Sequence, residues 1–125
     1  MADISYSINM KVEKGFLSNS INALNVTATM NKVGMSSVVA SLSTTPAIIA
    51  GTSSTSVSTA GICFLRNLAT AAAATAHVGI NAGGSFVPFV ALRAGETAIF
   101  RMFPATQYEA VGSAGTPLRV DITEG

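Results

Sequence analysis

Apolar and polar residues alternate with a two-residue period at both ends of this chain. Ile4, Tyr6, Ile8, Met10 and Val12 fall on one side of an extended segment, with Ser5, Ser7, Asn9, Lys11 and Glu13 on the other. Successive strand side chains point to opposite faces, so the pattern predicts a strand with one buried face. Leu24, Val26, Ala28 and Met30 alternate in the same way with Asn25, Thr27, Thr29 and Asn31. Near the other end, Leu118, Val120 and Ile122 alternate with Arg119, Asp121 and Thr123.

The middle of the chain continues the β pattern in shorter pieces. Residues 36–42 carry Val38, Ala40 and Leu42 on one face, and Pro46 then breaks the run. Residues 51–59 are almost wholly Gly, Ser, Thr and Val, which reads as a loop or a frayed edge. Residues 61–67 are apolar on both faces, the mark of a central strand. Residues 77–80 and 86–92 form a predicted hairpin around Asn81-Ala82-Gly83-Gly84. Residues 97–103 follow the turn Arg93-Ala94-Gly95-Glu96, where glycine supplies the positive φ of a tight hairpin. Residues 108–111 and 117–123 flank Gly112-Ser113-Ala114-Gly115-Thr116 as a further hairpin. The alanines of 68–76 favour a short helix by propensity, but they lack a wide apolar stripe and a strong C-cap. Eight or nine short strands with glycine-rich turns predict an all-β fold, a single antiparallel β-sandwich or jelly roll over residues 1–125.

Composition then says how such a domain meets its surroundings. Only 10% of residues are charged and 49% are hydrophobic, with a mean hydropathy of +0.50 and a net charge of +1. No Asp, Glu, Lys or Arg lies between Lys32 and Arg66 or between Arg66 and Arg93. Little electrostatic repulsion would keep copies of such a surface apart, so it fits a subunit packed against other subunits. No apolar run approaches the roughly 20 residues of a membrane-spanning helix. The N-terminus shows no basic segment followed by an apolar one, so no secretion signal is expected. The single cysteine, Cys63, excludes an intrachain disulfide and points to a reducing compartment. Without a basic cluster, nucleic-acid binding is not expected.

The inventory for catalysis is thin, and no enzyme is expected. His77 is the only histidine, and Cys63 sits mid-strand in an apolar run, where a buried inert thiol is the common case. Asp3, Glu13, Glu96, Glu109, Asp121 and Glu124 are scattered without the spacing of a calcium loop, although folding could bring two of them together as glycoside hydrolysis requires. The absence of tryptophan argues against a sugar-binding cleft. Neither a cofactor nor a metal is implied. Arg93, Glu96 and Arg101 form a candidate charge cluster, either a solvated turn or a set of arginines reaching across a subunit boundary.

From Gly61 onward the motifs follow a specific order. Gly61-Ile62-Cys63-Phe64-Leu65-Arg66-Asn67-Leu68 precedes Ser85-Phe86-Val87-Pro88-Phe89, then Leu92-Arg93-Ala94-Gly95-Glu96-Thr97-Ala98-Ile99-Phe100-Arg101 and Leu118-Arg119-Val120-Asp121-Ile122. This half of the chain resembles a family of small virion structural proteins of tailed bacteriophages. Ala69 stands where that family has an acidic residue, and Ala94 where proline is common. The resemblance implies a structural protein made in the host cytoplasm and built into the virion.

Within that reading, the composition fits a capsid decoration, or cement, protein that binds the major capsid protein and itself as a homotrimer or dimer. A tail, neck or fibre-associated adaptor is the alternative, and a carbohydrate-binding module a more distant one. The strand at residues 4–12 and the uncharged residues 51–59 are the segments expected to reach neighbouring subunits.

Overall fold

The computed structural model describes residues 3–30, 34–50, 60–103 and 106–124. The chain folds as two compact units, residues 1–31 and 32–125.

The first unit is a two-stranded antiparallel sheet of β1 (Ile4–Lys14) and β2 (Leu17–Ala28). Gly15 and Phe16 make the connecting turn. Gly15 adopts a positive φ of 58°, which suits a two-residue hairpin loop and few residues other than glycine. The register opposes Ile8 to Ala23, Met10 to Ile21 and Lys14 to Leu17, so the apolar residues of both strands share one face. Between Tyr6 and Ile8 the register slips, and β2 carries one residue more than β1. Asn25, at φ 54°, absorbs this bulge, and its amide donates to Ser7 Oγ at 3.0 Å. At the base, Asp3 accepts the Met30 amide through Oδ2 at 2.9 Å.

The second unit contains eight strands: β3 (Met35–Leu42), β4 (Ala47–Ala50), β5 (Ala60–Asn67), β6 (Ala76–Ala82), β7 (Ser85–Leu92), β8 (Thr97–Arg101), β9 (Tyr108–Gly112) and β10 (Thr116–Glu124). The first of these pairs with the last, the second with the last but one, and so inward to the β6–β7 hairpin. Rolling that long hairpin adds the pairs β5–β10 and β6–β9 and yields two four-stranded antiparallel sheets, ordered β3-β10-β5-β8 and β4-β9-β6-β7. This is the jelly-roll form of the β-sandwich.

The two sheets bury their facing sides against each other. Leu42, Leu118, Val120, Ile122, Cys63 and Leu65 come from one sheet, and Ile49, Ala76, Val78, Leu92, Tyr108 and Ala110 from the other. Phe89, Phe100 and Tyr108 meet at ring-centroid distances of 5.4 to 6.2 Å, two of the three contacts edge-on, a geometry that aromatic quadrupoles favour. Tyr108 also accepts the Phe103 amide on its hydroxyl at 2.8 Å.

The all-β sandwich expected from the alternation is present, with ten strands among the described residues where eight or nine were expected. The strand at 61–67 is central, as its two apolar faces indicated. The hairpin around residues 81–84 forms with both Gly83 and Gly84 at positive φ.

Two other expected hairpins do not form. β7 and β8 lie in opposite sheets, as do β9 and β10, so the intervening turns are corners. Their hydrogen bonds show why. The Gly95 amide donates to the Asn67 carbonyl at 2.8 Å, and the Gly115 amide donates to the Leu42 carbonyl at 2.8 Å, so each turn is stitched to a strand remote in sequence. A positive-φ glycine marks a reversal but does not choose the receiving sheet. The alanine-rich 68–75 stretch is a non-helical connection. β1 and β2 pair only with each other among the described residues. Residues 51–59 lie outside the described residues.

Gly79 is the tightest position in the sandwich. A Cβ there would sit 2.0 Å from the Val87 carbonyl oxygen and 2.6 Å from Pro88 Cα, beside the bulge of β7. Gly79→Ala should therefore cost about 1–3 kcal/mol, read as a lower urea midpoint with an unchanged slope.

Candidate functional site

The residues that could carry chemistry are dispersed by the fold. Cys63 points inward from β5 and is fully buried, whereas His77 lies between the inward-facing Ala76 and Val78 and is exposed on the outside of the other sheet. They cannot form a nucleophile and base. Burial, aided by the negative charge of Asp121, pushes the Cys63 thiol up to about 12. Among the described residues, no three His, Cys, Asp or Glu side chains gather as a metal site.

Asp121 and Glu109 are both buried, at 5% and 7% exposure, and look outward from opposite sheets. Asp121 accepts from Ser37 Oγ and from Arg119 Nε, the latter at 2.7 Å. Glu109 accepts from Gln107 Nε2 at 2.8 Å and, more loosely, from Asn81 Nδ2. Their placement on opposite outer faces leaves no paired-carboxylate cleft between them. Both bind their own neighbouring strands together.

The turn at 93–96 brings together two of the three candidate contact residues. Glu96 Oε1 accepts the Arg93 amide at 2.7 Å, so the carboxylate closes its own turn through the backbone. Arg101 lies at the far end of β8, opposite Ile62, and is exposed. The arginine held in an ion pair in this sheet is Arg119. Its spacing from Asp121 along one strand puts both on the same face, a signal legible in the sequence.

Asn67 was also not singled out by sequence reasoning. It is fully buried, and its Nδ2 donates to the carbonyls of Ala74 and Leu92 at 2.9 Å each, while Oδ1 accepts the Ala69 amide at 3.0 Å. One amide side chain thus fixes the 68–75 connection and the end of β7. A polar residue closing the apolar run 61–65 was the available signal.

What remains is surface, and two features stand out. The hairpin β1–β2 carries Ile8, Met10, Leu17 and Ile21 at 44–59% exposure on its apolar face, with Phe16 fully exposed at the tip. Its other face is polar, with Ser5, Asn9, Lys11 and Glu13 opposed to Thr27, Asn22, Ser20 and Ser18. Secondly, β3 is an edge strand of eight residues without charge or proline, carrying Met35, Val38 and Val39 at 53–60% exposure. Two open concavities lie on the sandwich, the smaller beside β3 and lined by Ser37, Val38, Val39, Leu68, Arg119 and Asp121. The larger runs from Leu68 to Ala74 and from Ser113 to Pro117 and has no ionisable side chain. These features suit macromolecular contact better than a small ligand.

No family model, curated protein or solved structure matches this chain.

The raised thiol gives a direct check on the packing around Cys63. At pH 8, a thiol reagent should label the folded chain at least about a hundredfold more slowly than the urea-unfolded chain. The folded thiol holds its proton more tightly than the unfolded one. Its contribution to stability is therefore complete below pH 9.0 and declines as pH rises toward about 12. Equal labelling rates would mean that the β5–β10 core is open.

Proposed function

We propose that this chain is a structural protein of a bacteriophage virion, a decoration protein that binds the shell of major capsid subunits and ties neighbours together. The observation that carries the reading is the hairpin β1–β2. A two-stranded sheet is at best marginally stable in water, and this one spans about 36 Å with one face mainly apolar, interrupted by Asn19 and Lys14, and largely exposed from Ile8 to Ile21. Such a face is built to be covered. Contiguous exposed apolar patches on this scale mark interaction sites.

Three further observations support the proposal. The order of motifs after Gly61 resembles small virion proteins of tailed phages. Jelly rolls are used in viral capsids, an argument by analogy of fold alone. The sparse charge suits a subunit tiled among others, where many modest contacts repeated over a symmetric shell sum to tight retention. In this arrangement the hairpin contacts the major capsid protein. Arg93, Glu96 and Arg101 are candidate subunit contacts on the sandwich.

Copy counting on purified particles tests the position. Hundreds of copies per virion fit a shell protein, whereas about a dozen would move it to the neck or tail. Particles lacking it should assemble but burst at lower temperature or under osmotic shock; undiminished robustness would remove the cement role. Met10→Asp should leave the sandwich folded and lower incorporation at least tenfold, because it places a charge on the apolar face. Bound protein should stay on the particle between about 0.1 and 1 M salt, since the contact contains few ion pairs.

A further inference from the structure

We propose that two copies of the chain join edge to edge through β3, fusing their sheets into one eight-stranded sheet about a two-fold axis at Val38 or Val39. The contact goes beyond the proposed function and does not rest on the virion itself. Its test on purified protein fails or succeeds independently of any particle.

The argument starts from the four edges of the sandwich. Edge strands offer unpaired N–H and C=O groups, and proteins blunt them with charge, proline, bulges or short length. β7 carries Pro88 and a register bulge, and β4 has four residues, a bulge and Pro46 before it. β8 has five residues and ends at the exposed Arg101. β3 has none of these devices. It runs in unbroken register along β10 from Met35 to Leu42, and its second edge has no strand partner among the described residues. It is about 26 Å long.

The occupant follows from what this edge can accept. Adding a different sandwich edge would generate a ring or filament, but the other three are blunted. The β2 edge lacks charge but is interrupted by the Asn25 bulge and belongs to a two-stranded sheet that must itself be ordered. Two β3 edges are both already held on four-stranded sheets, so their pairing orders nothing new.

Like-with-like pairing sets the strand against its own reversed sequence, so a charge at or near the axis would face a copy of itself. Met35–Leu42 has no charge to oppose. An axis perpendicular to the sheet keeps the inward residues Ser36, Val38, Ala40 and Leu42 on one face in both copies. With the axis at Val39, the two Val39 side chains meet about 5 Å apart, Ser37 opposes Ser41, and Val38 opposes Ala40. Isologous contacts of this kind close as dimers.

The test uses the full chain in solution. Sedimentation at about 100 µM should show a dimer with a dissociation constant in the micromolar range, as befits a small contact. Val39→Lys and Val39→Glu should each raise that constant at least tenfold, while an equal mixture of the two should dimerise again. Val39→Thr should dimerise like the parent chain. Amide exchange adds a readout that does not depend on any variant. Alternate β3 amides should exchange quickly when dilute and slow on concentration, because antiparallel pairing occupies the outward set. A monomer at 100 µM overturns the proposal. So does a dimer indifferent to Val39→Lys, a charge-swapped mixture that stays apart, or β3 exchange independent of concentration. Dimerisation lost in Met10→Asp but kept in Val39→Lys would assign the contact to the hairpin instead and likewise overturn it.

Discussion

A β-sheet with one apolar face needs a second layer. The jelly roll meets this need by rolling a long hairpin on itself, so that residues such as Leu65 and Val78 are covered by strands from the opposite sheet. The hairpin β1–β2 obeys the same alternation but carries Ile8, Met10, Leu17 and Ile21 largely exposed. The same rule that explains the core therefore marks the hairpin face as the part of the described residues it leaves uncovered, and on this the proposed assembly rests. An exposed apolar face of this length is costly in free solution and useful only when something covers it.

Buried polar groups reinforce this division between structure and surface. Asn67, Asp121 and Glu109 all find partners within their own sheets or corners, and no described buried side-chain nitrogen or oxygen lacks one. Each binds together strands that the sequence separates widely. Asp121 reaches Ser37 across 84 positions, and Glu109 reaches Asn81 across 28. Polar atoms so committed define the fold.

The alternation in residues 4–12 and 118–122 made those strands legible, because a two-residue period survives into the structure unchanged. The first half of β2 was not. Leu17, Ile21 and Ala23 are out of phase with Val26 and Ala28, and the bulge at Asn25 resets the phase between them. The corners after Leu92 and Gly112 were read as hairpins because turn chemistry is local, whereas the receiving strand is chosen by hydrogen bonds to Asn67 and Leu42. The apolar run around Cys63 made its burial legible. The apolar side of the strand at 4–12 was visible in its alternation, whereas the edge position of β3 depends on sheet order, which no local pattern encodes.

Hydrogen exchange across residues 4–28, compared between the free chain and the chain in purified particles, measures the central claim most directly. The free hairpin should exchange within seconds, as a marginal two-stranded sheet does, and slow by at least about a hundredfold once its apolar face is covered. Identical exchange in both states, or particles that contain none of the chain, would contradict the account.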